Sequence, residues 1–183
     1  MKTRWNTILF VGGSAFVSVL LGWYLQSAGP RVTEGPMLDS KLPLLLVTNL
    51  KGEAISLNAM IDRRTVLVVF SVTCPHCLSE MTNLNEVYPF FKDSLRFIAL
   101  SVSGRQDTQQ FIDSYDITVP VVIDSTFAVM DRFRTRAVPT LYLLDQHQRI
   151  RQFRPGKHTA EYLFSLLTHF SAANDDSIGG KRP

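Results

Sequence analysis

Cysteine is almost absent from this chain: its 183 residues include two, at positions 74 and 77. A pair so close in sequence cannot staple a fold, which excludes a disulfide scaffold, and a domain of this length buries a core without one. Histidine is scarce too. Besides His76 there are His147, His158 and His169, and their spacing does not complete the four-ligand pattern of a structural zinc site. The haem-attachment pattern CxxCH fails because Leu78 follows Cys77. Charge of one sign is also in short supply. The net charge is +3 and the basic residues are scattered without interleaved aromatics, so no nucleic-acid partner is implied. No internal repeat is visible. What remains is 45% hydrophobic and 19% charged, the composition of one globular domain with an appendage.

The appendage is N-terminal. No charge interrupts Thr7 to Leu25, and Lys2 and Arg4 precede it. At about 1.5 Å per residue this run just crosses a hydrocarbon core of about 30 Å. Trp5 at one end and Trp23 and Tyr24 at the other fall where interfacial aromatics belong, and the leading positive charge places the N-terminus inside and the rest outside. The rival reading is a cleaved signal peptide, but no A-x-A-like site is present. Cutting after Ala28 leaves Gln26 at the third position back, and cutting after Gly29 leaves Pro30 first. The expectation is an uncleaved single-pass anchor over residues 1–28 and a linker over 29–41 carrying Gly29, Pro30, Gly35 and Pro36. The remainder then faces the periplasm or the cell exterior.

The cysteines form Cys74-Pro75-His76-Cys77, directly after the apolar run Thr65-Val66-Leu67-Val68-Val69-Phe70. That continuous, β-branched run reads as a strand buried on both faces. Beyond Cys74, Leu78, Met81, Leu84, Val87 and Tyr88 recur at helical spacing. Pro75 fits the first helical turn, where a missing N–H costs nothing, and Pro89 is expected to kink or end the helix. Two thiols at this spacing can close a small disulfide ring and reopen it by exchange. The thiolate is the attacking species. Cys74, at the helix N-terminus, is expected to have a lowered pKa and to act as nucleophile. Cys77, one turn further in, is expected to be buried and to resolve. The His76 ring is expected to donate to the Cys74 sulfur, which would stabilise the thiolate and make the disulfide more oxidising.

Elsewhere, Leu44–Asn49 and Ala54–Leu57 bracket Lys51-Gly52 as a hairpin. Strands over Leu95–Val102, Val121–Asp124, Thr140–Leu144 and Ile150–Phe153 alternate with helices over Gln109–Tyr115, Phe127–Phe133 and Glu161–Phe170. This alternation predicts an α/β domain over 42–171, with a polar, disordered tail over 172–183.

From roughly Leu42 to Phe170 the chain resembles the TlpA/ResA-type membrane-tethered thioredoxins. The resemblance is carried by Asn49-Leu50-Lys51-Gly52-Glu53, the CxxC, Glu80 three residues beyond it, Val119-Pro120-Val121-Val122-Ile123-Asp124, and Ala137-Val138-Pro139-Thr140. It implies a thioredoxin-like fold, a helix-covered mixed sheet with an N-terminal hairpin and a central αβ insert, preceded by one transmembrane helix. It also implies a site built from Cys74, Pro75, His76, Cys77, Glu80 and Pro139, with Pro139 cis. The redox-active Cys74–Cys77 disulfide would replace any dissociable cofactor or metal. Protein thiols and disulfides would be the substrates, and a membrane redox partner would regenerate the domain. Pro139 would bring the Val138 backbone beside the cysteines, offer main-chain hydrogen bonds to an extended partner, and block metal capture. Glu80 has two readings, a proton relay for Cys77 or a solvated acid on a helix face. Two positions differ from relatives. Thr73 stands where many thioredoxins have tryptophan, and Pro-His resembles the oxidase DsbA rather than the Glu-Pro of cytochrome-maturation reductases.

The first functional expectation is an extracytoplasmic thiol–disulfide oxidoreductase acting on proteins. The second is a dedicated reductant for cytochrome c or metal-centre maturation. A non-enzymatic copper carrier is the third, because two thiols can bind soft Cu(I).

Overall fold

A computed structural model describes residues 38–173. The expected anchor, most of the expected linker and nearly all of the expected tail lie outside the described residues. Among the described residues, no helix is long and apolar enough to cross a membrane.

The run Thr65–Phe70 forms β3, the strand on which the rest is built, and all six residues are buried. Its period of two sends Val66, Val68 and Phe70 to one face and Leu67 and Val69 to the other. Both faces are covered, which is why the sequence shows no polar alternation. Ahead of it, β1 (Leu46–Thr48) and β2 (Ala54–Ser56) make the expected hairpin, followed by a 3-10 turn at Asn58–Met60. After it come α1 (Pro75–Phe91), β4 (Arg96–Ser101), α2 (Arg105–Ser114), β5 (Val121–Ile123), α3 (Ala128–Arg132), β6 (Thr140–Leu144), β7 (Ile150–Pro155) and α4 (Ala160–Ala172). The seven strands form one mixed sheet in the order β2-β1-β5-β4-β3-β6-β7. β3, β4 and β5 are parallel neighbours, and β6, β7 and the hairpin pair antiparallel.

Two apolar layers sandwich this sheet. On one side Met81, Leu84, Val87 and Phe91 of α1, Phe111 of α2, and Leu163, Leu167 and Phe170 of α4 pack on Val66, Val68, Phe97 and Leu141. On the other, Leu42, Leu45, Leu57, Ile61, Val129 and Phe133 cover Leu67, Val69, Ile98 and Tyr142. Each such side chain contributes about 1.5–3 kcal/mol by leaving water. The core therefore fixes β3, and with it the strand end from which the cysteines leave.

Some expectations need adjustment. Helix α1 does not end at Pro89 but continues to Phe91. Proline there removes only the N–H owed to the Asn85 carbonyl, in the last turn, and Lys92 still donates to the Tyr88 carbonyl at 3.0 Å. Helix α2 begins four residues before Gln109, at Arg105 after the extended Gly104, with Asp107 in its first turn. Residues 38–41 of the expected linker pack on the β6–β7 turn. Asp39 accepts from Arg151 at 2.6 Å, and Leu42 donates to the Gln148 carbonyl at 2.7 Å.

Candidate active site

Cys74 is the N-cap of α1, in extended conformation, and Pro75 opens the first turn. An N-cap side chain normally accepts from the N–H groups two and three residues on. Here those are the amides of His76 and Cys77. Neither forms a side-chain cap of ordinary geometry, yet both act on the sulfur electrostatically. Partial burial is the largest single influence on Cys74 and pushes its pKa up. The hydrogen bond from the Cys77 thiol and the backbone amides of Cys77 and His76 outweigh it, so the thiol lies below its ordinary value. The Cys74 thiol donates to the Val138 carbonyl at 3.6 Å. The Val138–Pro139 bond is cis.

Cys77 differs in every respect. It is fully buried in the α1 side of the core. Burial is the main reason that its pKa is pushed up to about 12; the neighbouring Cys74 and the charge of Glu80 add to the rise, while the Ser71 amide, donating to its sulfur at 3.4 Å, opposes it. The two sulfurs are free thiols.

Glu80 is not a solvated acid. Its side chain is 0% exposed. Its carboxylate accepts the His158 backbone N–H at 2.5 Å and sits 3.0 Å from the ring Nδ1 of the same residue. One turn on, Asn83 donates to the His158 carbonyl at 2.7 Å. Positions 80 and 83 share one helix face, so α1 grips both ends of the His158 peptide.

The expected role of the His76 ring is not realised. The residue is exposed, and its amide, not its imidazole, acts on Cys74. A residue in the first helical turn points along the outside of the helix unless another segment folds over it, and among the described residues His76 stays exposed.

A ladder of hydroxyls also positions the loop before Cys74. The Ser103 hydroxyl accepts from the Val72 amide at 3.1 Å and pairs with Ser71 at 3.3 Å. Ser101 pairs with Thr108 at 2.8 Å, tying the end of β4 to α2. Sequence reasoning missed these serines and missed His158. One signal for His158 was available. It precedes Thr159, which caps α4 by accepting from the Tyr162 amide, and a polar ring stands where an apolar staple residue is usual.

Residues 37–153 match the AhpC/TSA family. The chain belongs to that family. It is 29% identical over 155 residues to the thiol-disulfide oxidoreductase ResA of Halalkalibacterium halodurans, covering 84% of this chain and 88% of that protein. The crystal structure of StoA from Bacillus subtilis is 25% identical and superposes with a TM-score of 0.59, covering 69% of this chain and 97% of its own. The thioredoxin domain of a thiol-disulfide oxidoreductase from Bacteroides vulgatus matches in fold, with a TM-score of 0.64 at 20% identity over 74% of this chain and 98% of that one. The chain is thus a ResA/StoA-like redoxin with a thioredoxin-like α/β fold and a CxxC pair, an enzyme of the thiol–disulfide oxidoreductase class.

Proposed function

We propose that this protein is an extracytoplasmic thiol–disulfide oxidoreductase, held to the membrane by its N-terminal segment, that exchanges disulfides with protein substrates and uses no dissociable cofactor. The observation that carries this reading is the pairing of an accessible, acidified Cys74 with a sealed Cys77. The Cys74 thiolate attacks the substrate disulfide and expels one substrate sulfur. Cys77 then attacks Cys74 in the mixed disulfide and releases the second. Cys77 cannot ionise unaided near neutral pH, and Glu80 accepts its proton. The Val138 carbonyl, 3.6 Å from the Cys74 sulfur, marks where an extended partner backbone would lie. A membrane redox partner resets the pair.

A second reading, a dedicated reductant for cytochrome c or metal-centre maturation, is favoured by one observation. The exposed His76 acts on the Cys74 sulfur through its backbone amide and not its ring, which removes the main argument for an unusually oxidising disulfide. Thiol–disulfide proteins span about −270 to −120 mV. A potential from glutathione equilibration at the negative end selects the reductant reading.

The test of the exchange reading is capture. The full-length Cys77→Ala variant should accumulate mixed disulfides through Cys74 with extracytoplasmic proteins, identified by mass spectrometry after non-reducing isolation. A variant that captures nothing above a Cys74→Ala/Cys77→Ala control contradicts it.

A further inference from the structure

We infer that His158 is the outlet for the Cys77 proton, a positioning residue that acts through Glu80 and connects this buried carboxylate to water. The inference rests on the exchange reading above. Cys77 and Glu80 are both 0% exposed, so a proton passed from one to the other is still sealed inside the domain. Both carboxylate oxygens of Glu80 are engaged by His158, one by the backbone N–H at 2.5 Å and the other by Nδ1 at 3.0 Å. The imidazole is therefore the titratable side chain hydrogen-bonded to Glu80 among the described residues. Its side chain is 12% exposed, and it lines a cleft of about 450 Å³ together with Leu78, Thr82, Asn83, Lys157 and Thr159, to which Glu80 does not contribute.

The ring is held for this task. Gly156, with φ of +91°, turns the chain out of β7 and donates to the Pro139 carbonyl at 2.8 Å. Asn83 fixes the His158 carbonyl. Tyr162 stacks on the imidazole at 5.0 Å and 15°, and its hydroxyl accepts from Arg154 at 3.2 Å. The titratable and charged groups around the ring are Glu80 and Cys77 of α1, Tyr162 and Glu161 of α4, Lys157 beside it, and Arg154 of β7 behind Tyr162.

In the resolving step the Cys77 S–H bond breaks and its proton goes to Glu80. The Cys77 sulfur forms the S–S bond to Cys74, and the electron pair of the mixed-disulfide bond between Cys74 and the substrate leaves with the second substrate sulfur as thiolate. The substrate disulfide gains two electrons and the CxxC pair loses two. In the tautomer with the ring proton on Nε2, protonated Glu80 then gives its proton to the bare Nδ1 and the ring releases one from Nε2 to the cleft; re-reduction of the pair takes a proton inward along the same path and restores that tautomer.

An aromatic dithiobis-nitrobenzoate disulfide, added to the reduced full-length protein in detergent, separates the steps. Attack by Cys74 releases the first coloured thiolate and attack by Cys77 the second. His158→Gln keeps the backbone bond to Glu80 and an amide able to bond the second oxygen, but carries no proton through. It should slow the second release about tenfold or more near neutral pH, leave the first unchanged, and lose its deficit in alkali, where hydroxide takes the proton directly. Glu80→Gln/His158→Gln should be no slower than Glu80→Gln. A normal first phase with an unchanged second phase, or a deficit equal at every pH, overturns the outlet alone. A wild type that releases nothing from Cys74 overturns the exchange reading and the outlet with it. If His158→Gln does not fold, His158→Asn, which keeps the backbone bond to Glu80 and carries no proton through, takes its place with the same supporting and overturning outcomes.

Discussion

Cys74 and Cys77 are three residues apart, yet they occupy opposite surroundings. Cys74 meets the Cys77 thiol and otherwise main chain: the amides of its own helix start and the Val138 carbonyl. Cys77 meets the apolar core and, through Glu80, a histidine 78 residues beyond that acid. Apart from the Cys77 thiol, the outer site is thus assembled from groups that any helix N-terminus and any carbonyl supply, and it should survive changes to other side chains nearby. The inner site depends on two specific side chains and should not. Substitutions on the two sides test that contrast.

The largest effect is expected at Glu80. Glu80→Ala leaves the His158 amide without its acceptor in a sealed position, a cost of about 1–3 kcal/mol, read as a lowered urea midpoint. Glu80→Gln keeps an oxygen for that amide and should recover most of the stability while still slowing the attack by Cys77. Equal stability of the two variants would mean that the inner hydrogen bonds are not what holds the α4 entry on α1.

A smaller effect is expected at Ser103. Ser103→Ala removes the acceptor of the Val72 amide and should cost about 1 kcal/mol, with the alkylation pH profile of Cys74 unchanged. A shifted profile would show that the hydroxyl ladder, and not the helix start alone, tunes the nucleophile.

The smallest effect is expected at His76. Because its amide, and not its exposed ring, acts on the sulfur, His76→Ala should move the Cys74 pKa by less than about half a unit. A rise of about one unit or more would restore the imidazole as a donor.

The same contrast explains what the sequence made legible. Strand β3 and the start of α1, with Cys74 at its N-cap and Cys77 buried one turn in, follow from local rules, an unbroken apolar run and proline in the first turn, and are present in the structure. The first turn of α2 is not legible in the sequence because Arg105 to Thr108 offers no apolar residue to reveal its period. The environment of Glu80 could not be read at all. Its partner lies in another loop, and only the packing of α4 on α1 brings them together. The His76 ring failed for the converse reason, since a local rule placed a donor near the sulfur and exposure placed it elsewhere.

The asymmetry of the two thiols is tested most directly by alkylating the reduced protein across a pH series and locating the label by mass spectrometry. Reactivity follows the thiolate fraction, which rises with pH, so a lowered pKa moves its onset to lower pH and a raised one to higher pH. Cys74 should be labelled below the ordinary thiol range and Cys77 only as the pH nears its value of about 12. Labelling of Cys77 first, or of both cysteines at one pH, would contradict the account.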